Sequence, residues 1–167
     1  MVKAEFDATA VNANAAGLTY PILTRIPAIN RVTNTTDSTL RRISGTIMIR
    51  VNLVGRQSSK DETVSYSVSP VSALDSIVFP ATAAGQAPAA PSGKIFLRNA
   101  IAGTDYGALS GIVTIPANSS FGFITINILN TGARPAGGSY LGLKLTGMGT
   151  IQPSINYSEL GLVIDQR

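Results

Sequence analysis

The chain has 167 residues, the size of one domain with a single core, and only 13% of them are charged against about 25% in an average protein. Cysteine and histidine are both absent, which removes disulfides, thiolate and imidazole metal sites, haem ligation and the Ser-His-Asp and Cys-His nucleophile pairs. Thirteen Lys and Arg against nine acids leave a net charge of +4, scattered from Lys3 to Arg167, a spread that does not predict a nucleic-acid surface.

Residues 1 to 44 carry the weakest pattern. Val2 to Phe6 reads as a short edge strand, and Leu18 to Ile26 reads as another, held to an edge or a bulge by Pro21. No apolar run approaches the roughly 20 residues of a membrane-crossing helix. The N-terminus lacks a charged and then apolar leader, so Met1 is expected to be an expression start on a mature exported sequence. From Thr46 to Gln57 the pattern sharpens, with Ile47, Ile49, Val51 and Leu53 inward and Thr46, Met48, Arg50 and Asn52 outward. The polar SSKDE run at 58 to 62 predicts a turn. Thr63 to Ser69 then returns with Val64, Tyr66 and Val68 on one face, and the two strands are expected to form a hairpin.

Ser76 to Phe79 predicts a short strand ended by Pro80. Residues 80 to 94, PATAAGQAPAAPSGK, lack periodicity and are expected to be a flexible insertion. Ile95 to Arg98 resumes strand character. The stretch from Gly103 to Leu129 predicts a hairpin: Gly111 to Ile115, closed by Pro116, then a turn at Ala117 to Ser120. The return from Phe123 places Ile124, Ile126 and Ile128 on one face and Thr125 and Asn127 on the other. Asn130 to Gly138 predicts a loop and Gly147 to Ser154 a turn. Between them Tyr140 to Thr146 is a strand with Leu141, Leu143 and Leu145 inward, and Glu159 to Asp165 closes the chain with Leu160, Leu162 and Ile164 inward. No segment shows helical spacing, and turn signals recur at the interval of an all-β antiparallel sandwich, read as a single domain over 1–167.

The residues AGTDYGALSGIVTIPANSSFGFITINIL at 102 to 129, followed by LGLKL at 141 to 145, resemble the Calx-β type of immunoglobulin-like sandwich, which has a Gly-x-Asp-Tyr turn, a VTI strand and an alternating return. The run from VNLVGRQSSKDETVSYSVSP to IQPSINYSELGLVID resembles a family of Bacteroidota cell-envelope lipoproteins built on such a domain. The likeness implies an exported, extracytoplasmic, non-enzymatic module with a lipid anchor upstream of Met1. Its expected partner is a protein or glycan of the envelope, and no cofactor is implied. The alternatives are a glycan-binding accessory of a polysaccharide-uptake system and a hydrolase with dispersed carboxylates. Calcium-binding Calx-β domains carry dense acids in the loop before the strand matching Leu141 to Leu145. Here that loop reads NTGARPAGG with Arg134 and no acid, and a calcium ion needs six to eight oxygen ligands, so no metal is expected.

Among candidate site residues, Asp105 is placed to bond the turn backbone and Tyr106 to pack at a strand edge. Asp61 and Glu62 are adjacent and would face opposite ways on a strand, which disfavours a catalytic pair. GALSG at 107 to 111 has its serine one place late for a nucleophile elbow, and Gly85 to Lys94 lacks the spacing of a phosphate loop. Arg41 and Arg42 read as a solvated pair. Aromatics at 6%, without tryptophan, argue against stacking surfaces for nucleic acid or sugar. Asn34, Asn118 and Asn156 open N-glycosylation sequons, which a Bacteroidota protein is not expected to use; Asp37-Ser38-Thr39 and Asp75-Ser76-Ile77 resemble the O-glycosylation motif of that phylum. No residue is assigned to catalysis, and the ligand-binding residues stay open.

Overall fold

The computed structural model describes residues 1–7, 18–71, 74–147 and 149–167. The strands in chain order are β1 (Val2–Phe6), β2 (Ile22–Leu23), β3 (Thr46–Val54), β4 (Glu62–Ser69), β5 (Ser76–Phe79), β6 (Gly93–Asn99), β7 (Ile112–Ile115), β8 (Phe121–Asn127), β9 (Gly137–Leu145), β10 (Ile151–Pro153) and β11 (Glu159–Asp165). They build two sheets. One has the order β10-β1-β3-β8; the other runs β2-β11-β9-β4-β7, with β6 on β9 and β5 on β6. Among the described residues there is no helix.

Period-two alternation does what the sequence requires. Ile47, Ile49 and Val51 of β3 meet Ile124 and Ile126 of β8 in the core, facing Val64, Val113, Ile115, Leu141, Leu143, Leu145, Leu160, Leu162 and Ile164 of the other sheet. Thr125 and Asn127 point outward and are exposed.

Pairing departs from the expectations at several points. β3 and β4 do not form a hairpin: β3 lies between β1 and β8, whereas β4 joins β7 and β9 in the opposite sheet. Nor do β7 and β8 share a ladder, since β7 pairs with β4 and β8 with β3, so the turn at 117–120 carries the chain from one sheet to the other. β1 is an interior strand, flanked by β3 and, in parallel, by β10. The 147–154 stretch, expected as a turn, supplies β10; three residues are too few for a periodic signal. The second strand shrinks to Ile22–Leu23, parallel to β11 at a sheet edge. Val68, expected inward, is 46% exposed.

β9 is the centre of the larger sheet. One of its edges pairs with β11; the other pairs with β4 over its second half and, in parallel, with β6 over its first. Its outer face is covered too, by a second apolar cluster of Ile22, Phe79, Ile95, Tyr140 and Val163. A side chain at Gly142 or Gly161 would strike the Tyr140 ring, so these two glycines make room for it, and Tyr140 Oη donates to or accepts from Tyr20 Oη at 3.0 Å.

The stretch expected to be a flexible insertion makes a set of specific bonds. Thr39 N and Oγ1 donate to Gln86 Oε1 at 2.9 and 2.8 Å, and Gln86 Nε2 returns a bond to Thr39 O at 2.9 Å. Arg41 Nη1 donates to Pro88 O, and Arg167 Nη2 to Pro91 O at 3.2 Å.

Candidate functional site

Asp105 is buried and held by three hydrogen bonds. Arg98 Nη1 and Nη2 donate to its two oxygens at 2.6 and 2.8 Å, and Ile101 N adds a bond at 2.8 Å. Burial alone would raise its carboxyl, but the Arg98 and Ile101 bonds outweigh burial and hold it below the usual carboxylate range. A carboxylate so held is a poor proton donor at neutral pH. Tyr106 packs in the main core, and burial together with the Asp105 charge raises its phenol. Asp61 Oδ1 accepts from Ala117 N at 2.8 Å, so it secures the turn between β7 and β8. Ser110 of GALSG bonds the Ile112 carbonyl and amide within its own turn.

Arg41 and Arg42 are not a solvated pair. Arg41 is 2% exposed and lies 4.0 Å from buried Asp165, which Arg167 also holds at 2.9 Å. Arg42 reaches Asn130. Asn34, Asn118 and Asn156 are exposed, as is Ser38, whereas Thr39 is buried against Gln86. Arg31 bonds Asp37 and holds its carboxyl at about 2. A recess of about 160 Å³ lined by Tyr20, Asn156, Ser158 and Glu159 is smaller than the roughly 300 Å³ of an ordinary ligand pocket.

The outer face of the four-stranded sheet is different in kind. The β3–β8 register sets Arg50 opposite Phe123 and Asn52 opposite Phe121. Both rings share the outward face with Thr125, since Gly122 and Ile124 between them point inward. The rings meet edge to face at 5.6 Å, and the Arg50 guanidinium sits 4.0 Å over Phe121. Arg50 Nε donates to Asn52 Oδ1 at 2.8 Å and Nη1 to Asn30 Oδ1 at 2.9 Å, with Asp7 3.6 Å away. Two half-buried rings therefore lie beside a guanidinium and two amides on the outward face of the sheet. Low aromatic content predicted no stacking surface, yet two of the ten aromatics, Phe121 and Phe123, stand side by side here. The outward parity of Phe121 and Phe123 with Thr125 was the available signal; their partner Arg50 required the strand register.

Comparison with solved structures defines the class of fold. The chain is similar to the apo-form Calx CBD1 domain, with a TM-score of 0.52 and 11% identity over 99% of this chain and 98% of that one. CBD12 from CALX1.2 matches at a TM-score of 0.48 and 13% identity, over 76% of this chain and 41% of that one. No protein-family model and no curated protein matches the chain. The fold is an all-β immunoglobulin-like sandwich of the Calx-β type, with parallel pairings at β1–β10, β2–β11 and β6–β9. In the loop from 130 to 138, Arg134 Nη2 bonds Gly138 O at 3.0 Å.

Proposed function

We propose that the protein is a non-enzymatic, exported binding module of the bacterial cell envelope, lipid-tethered upstream of Met1, and that it holds a neutral glycan on the outer face of its four-stranded sheet. The observation that carries the glycan is the Phe121–Phe123 pair with Arg50, Asn52 and Asn30 around it. Sugar rings offer an apolar face to aromatic rings and hydroxyls to amides and guanidinium groups, and this surface supplies both kinds of partner in fixed positions. The envelope setting rests on the resemblance of the sequence runs given above and on the low share of charged residues, 13% of the chain. Against the hydrolase alternative, Asp105 and Asp165 are each engaged by arginine and so suited to structure.

A glycan array of neutral envelope and plant polysaccharides, followed by calorimetry on any hit, tests the reading. Phe121→Ala and Phe123→Ala should each weaken binding about tenfold or more while lowering the melting temperature by only a few degrees, since both rings face outward and lose little more than their contact with each other and with Arg50. Absence of any glycan hit, or hits indifferent to both substitutions, rejects this surface as the glycan site.

A further inference from the structure

We propose that the end of the sandwich where β9 begins and β11 finishes binds one oxyanion group, a carboxylate, phosphate or sulfate, between Arg42, Arg134 and Gln166. This rests on observations separate from the aromatic surface. Backbone bonds gather the three residues: Arg134 N donates to Gln166 O at 2.7 Å, Gln166 N to Gly137 O at 3.0 Å, and Arg42 N to Asp165 O at 3.0 Å. Ile164 of β11 is in the core opposite Ser139 of β9, so by alternation Ser139 and Gln166 continue the core-facing side beyond its apolar part.

Among the described residues, the buried side-chain nitrogen and oxygen atoms that lack a hydrogen-bond partner are Arg41 Nε, Arg42 Nε, Arg134 Nε, Ser139 Oγ and Gln166 Nε2, all at this end. Gln166 is 2% exposed. Arg41 Nε at least faces Asp165, and Ser139 lies close enough to Asp105 to help keep it ionised without an ordinary hydrogen bond. Arg42 Nε, Arg134 Nε and Gln166 Nε2 are donors with nothing to receive them, and a buried unpaired donor is costly. Charge points the same way. Five arginine side chains at this end, Arg41, Arg42, Arg98, Arg134 and Arg167, face two aspartates, Asp105 and Asp165, so three of the chain's four excess positive charges lie here. Asp105 spends three hydrogen bonds on Arg98 and Ile101, and its charge reaches Arg134 without a hydrogen bond to it. Burial and then repulsion from Arg98 push the Arg134 guanidinium down, and the Asp105 charge offsets them only in part. Water would satisfy the donors but leave the charge unanswered; an oxyanion answers both.

The test titrates sodium sulfate, sodium phosphate, trigalacturonate and a neutral trisaccharide into the whole chain, against sodium chloride at matched ionic strength. The readouts are the melting temperature and the Nε–H resonances of Arg42 and Arg134. An oxyanion should raise the melting temperature saturably and move both resonances, whereas chloride and the neutral sugar should not. Arg134→Gln should weaken the effect about tenfold or more; if that variant folds poorly, the wild-type resonances still decide. Response to sulfate or phosphate alone supports the site with a free ion as its source, and response to trigalacturonate supports it with an acidic saccharide. If none of the three acts beyond chloride, or if Arg134→Gln responds as wild type does, the proposal is overturned.

Discussion

Gly122 sits where β8 passes the end of β7 from the opposite sheet, and Gly122→Ala tests that crossing. A Cβ built there falls inside van der Waals contact of the Thr114 carbonyl oxygen, 3.0 Å from Thr114 C and 3.1 Å from Val113 Cγ2. Carbon contacts settle at about 3.5–4.0 Å, so the two backbones must part by roughly 0.5–1 Å. The obstacle is main chain on both sides, which cannot swing away as a side chain can. The φ of Gly122 is not in the left-handed region, so backbone strain adds nothing and the cost is steric. Overpacking of this kind costs about 1–3 kcal/mol, and an obstacle made of backbone belongs at the top of that range. For a domain of this size the melting temperature should fall by about 6–12 °C. Thermal melts followed by circular dichroism measure it, with Thr125→Ala as an outward control on the same strand. In a plain β7–β8 hairpin the methyl would stand clear of its neighbour's backbone. A Gly122→Ala variant melting within about 2 °C of wild type would therefore refute the crossing.

Ile126→Asp should prevent folding while Thr125→Asp melts near wild type, because Ile126 is buried and Thr125 exposed and an unpaired buried charge rivals the whole stability of a domain; similar melts for the two would mean the register is wrong. Gln86→Ala strips the buried Thr39 of its bonds and should cost about 2–4 kcal/mol in urea unfolding; a cost under about 0.5 kcal/mol would mean that residues 80–94 are as detached as their composition suggests. Asp105 is held below the usual carboxylate range, so the stability it contributes is present above about pH 4, the unfolded value, and is lost as pH falls toward the folded value. Asp105→Asn should flatten that acid limb of a stability-versus-pH curve, and an unchanged limb would remove Asp105 from the account. Millimolar calcium and chelator should give coincident melts, since Arg134 occupies the loop where carboxylates would be needed; a reproducible shift of several degrees would count against this.

The sequence by itself determined the class of structure and most of the strands. A period of two in Ile47–Leu53 and Ile124–Ile128 can be satisfied only by a strand with one face buried, and those side chains are the core. The same alternation says which face is buried but not which strand lies alongside, because a ladder is made by backbone groups common to every residue. Hence the two expected hairpins are instead passages between sheets, decided by how the two sheets close over the core between them. Two-sided burial of β9 and β11 was hidden for a related reason: Gly138 makes room for Ile95 and Leu97, and Gly161 for Ile22 and Tyr140, side chains that belong to other strands. The aromatic surface was half legible, in the outward parity of Phe121 and Phe123. The arginine-rich end was not legible at all. Arg42, Arg134 and Gln166 are far apart along the chain, and only tertiary structure gathers them at one end while leaving Arg42 Nε, Arg134 Nε and Gln166 Nε2 without partners.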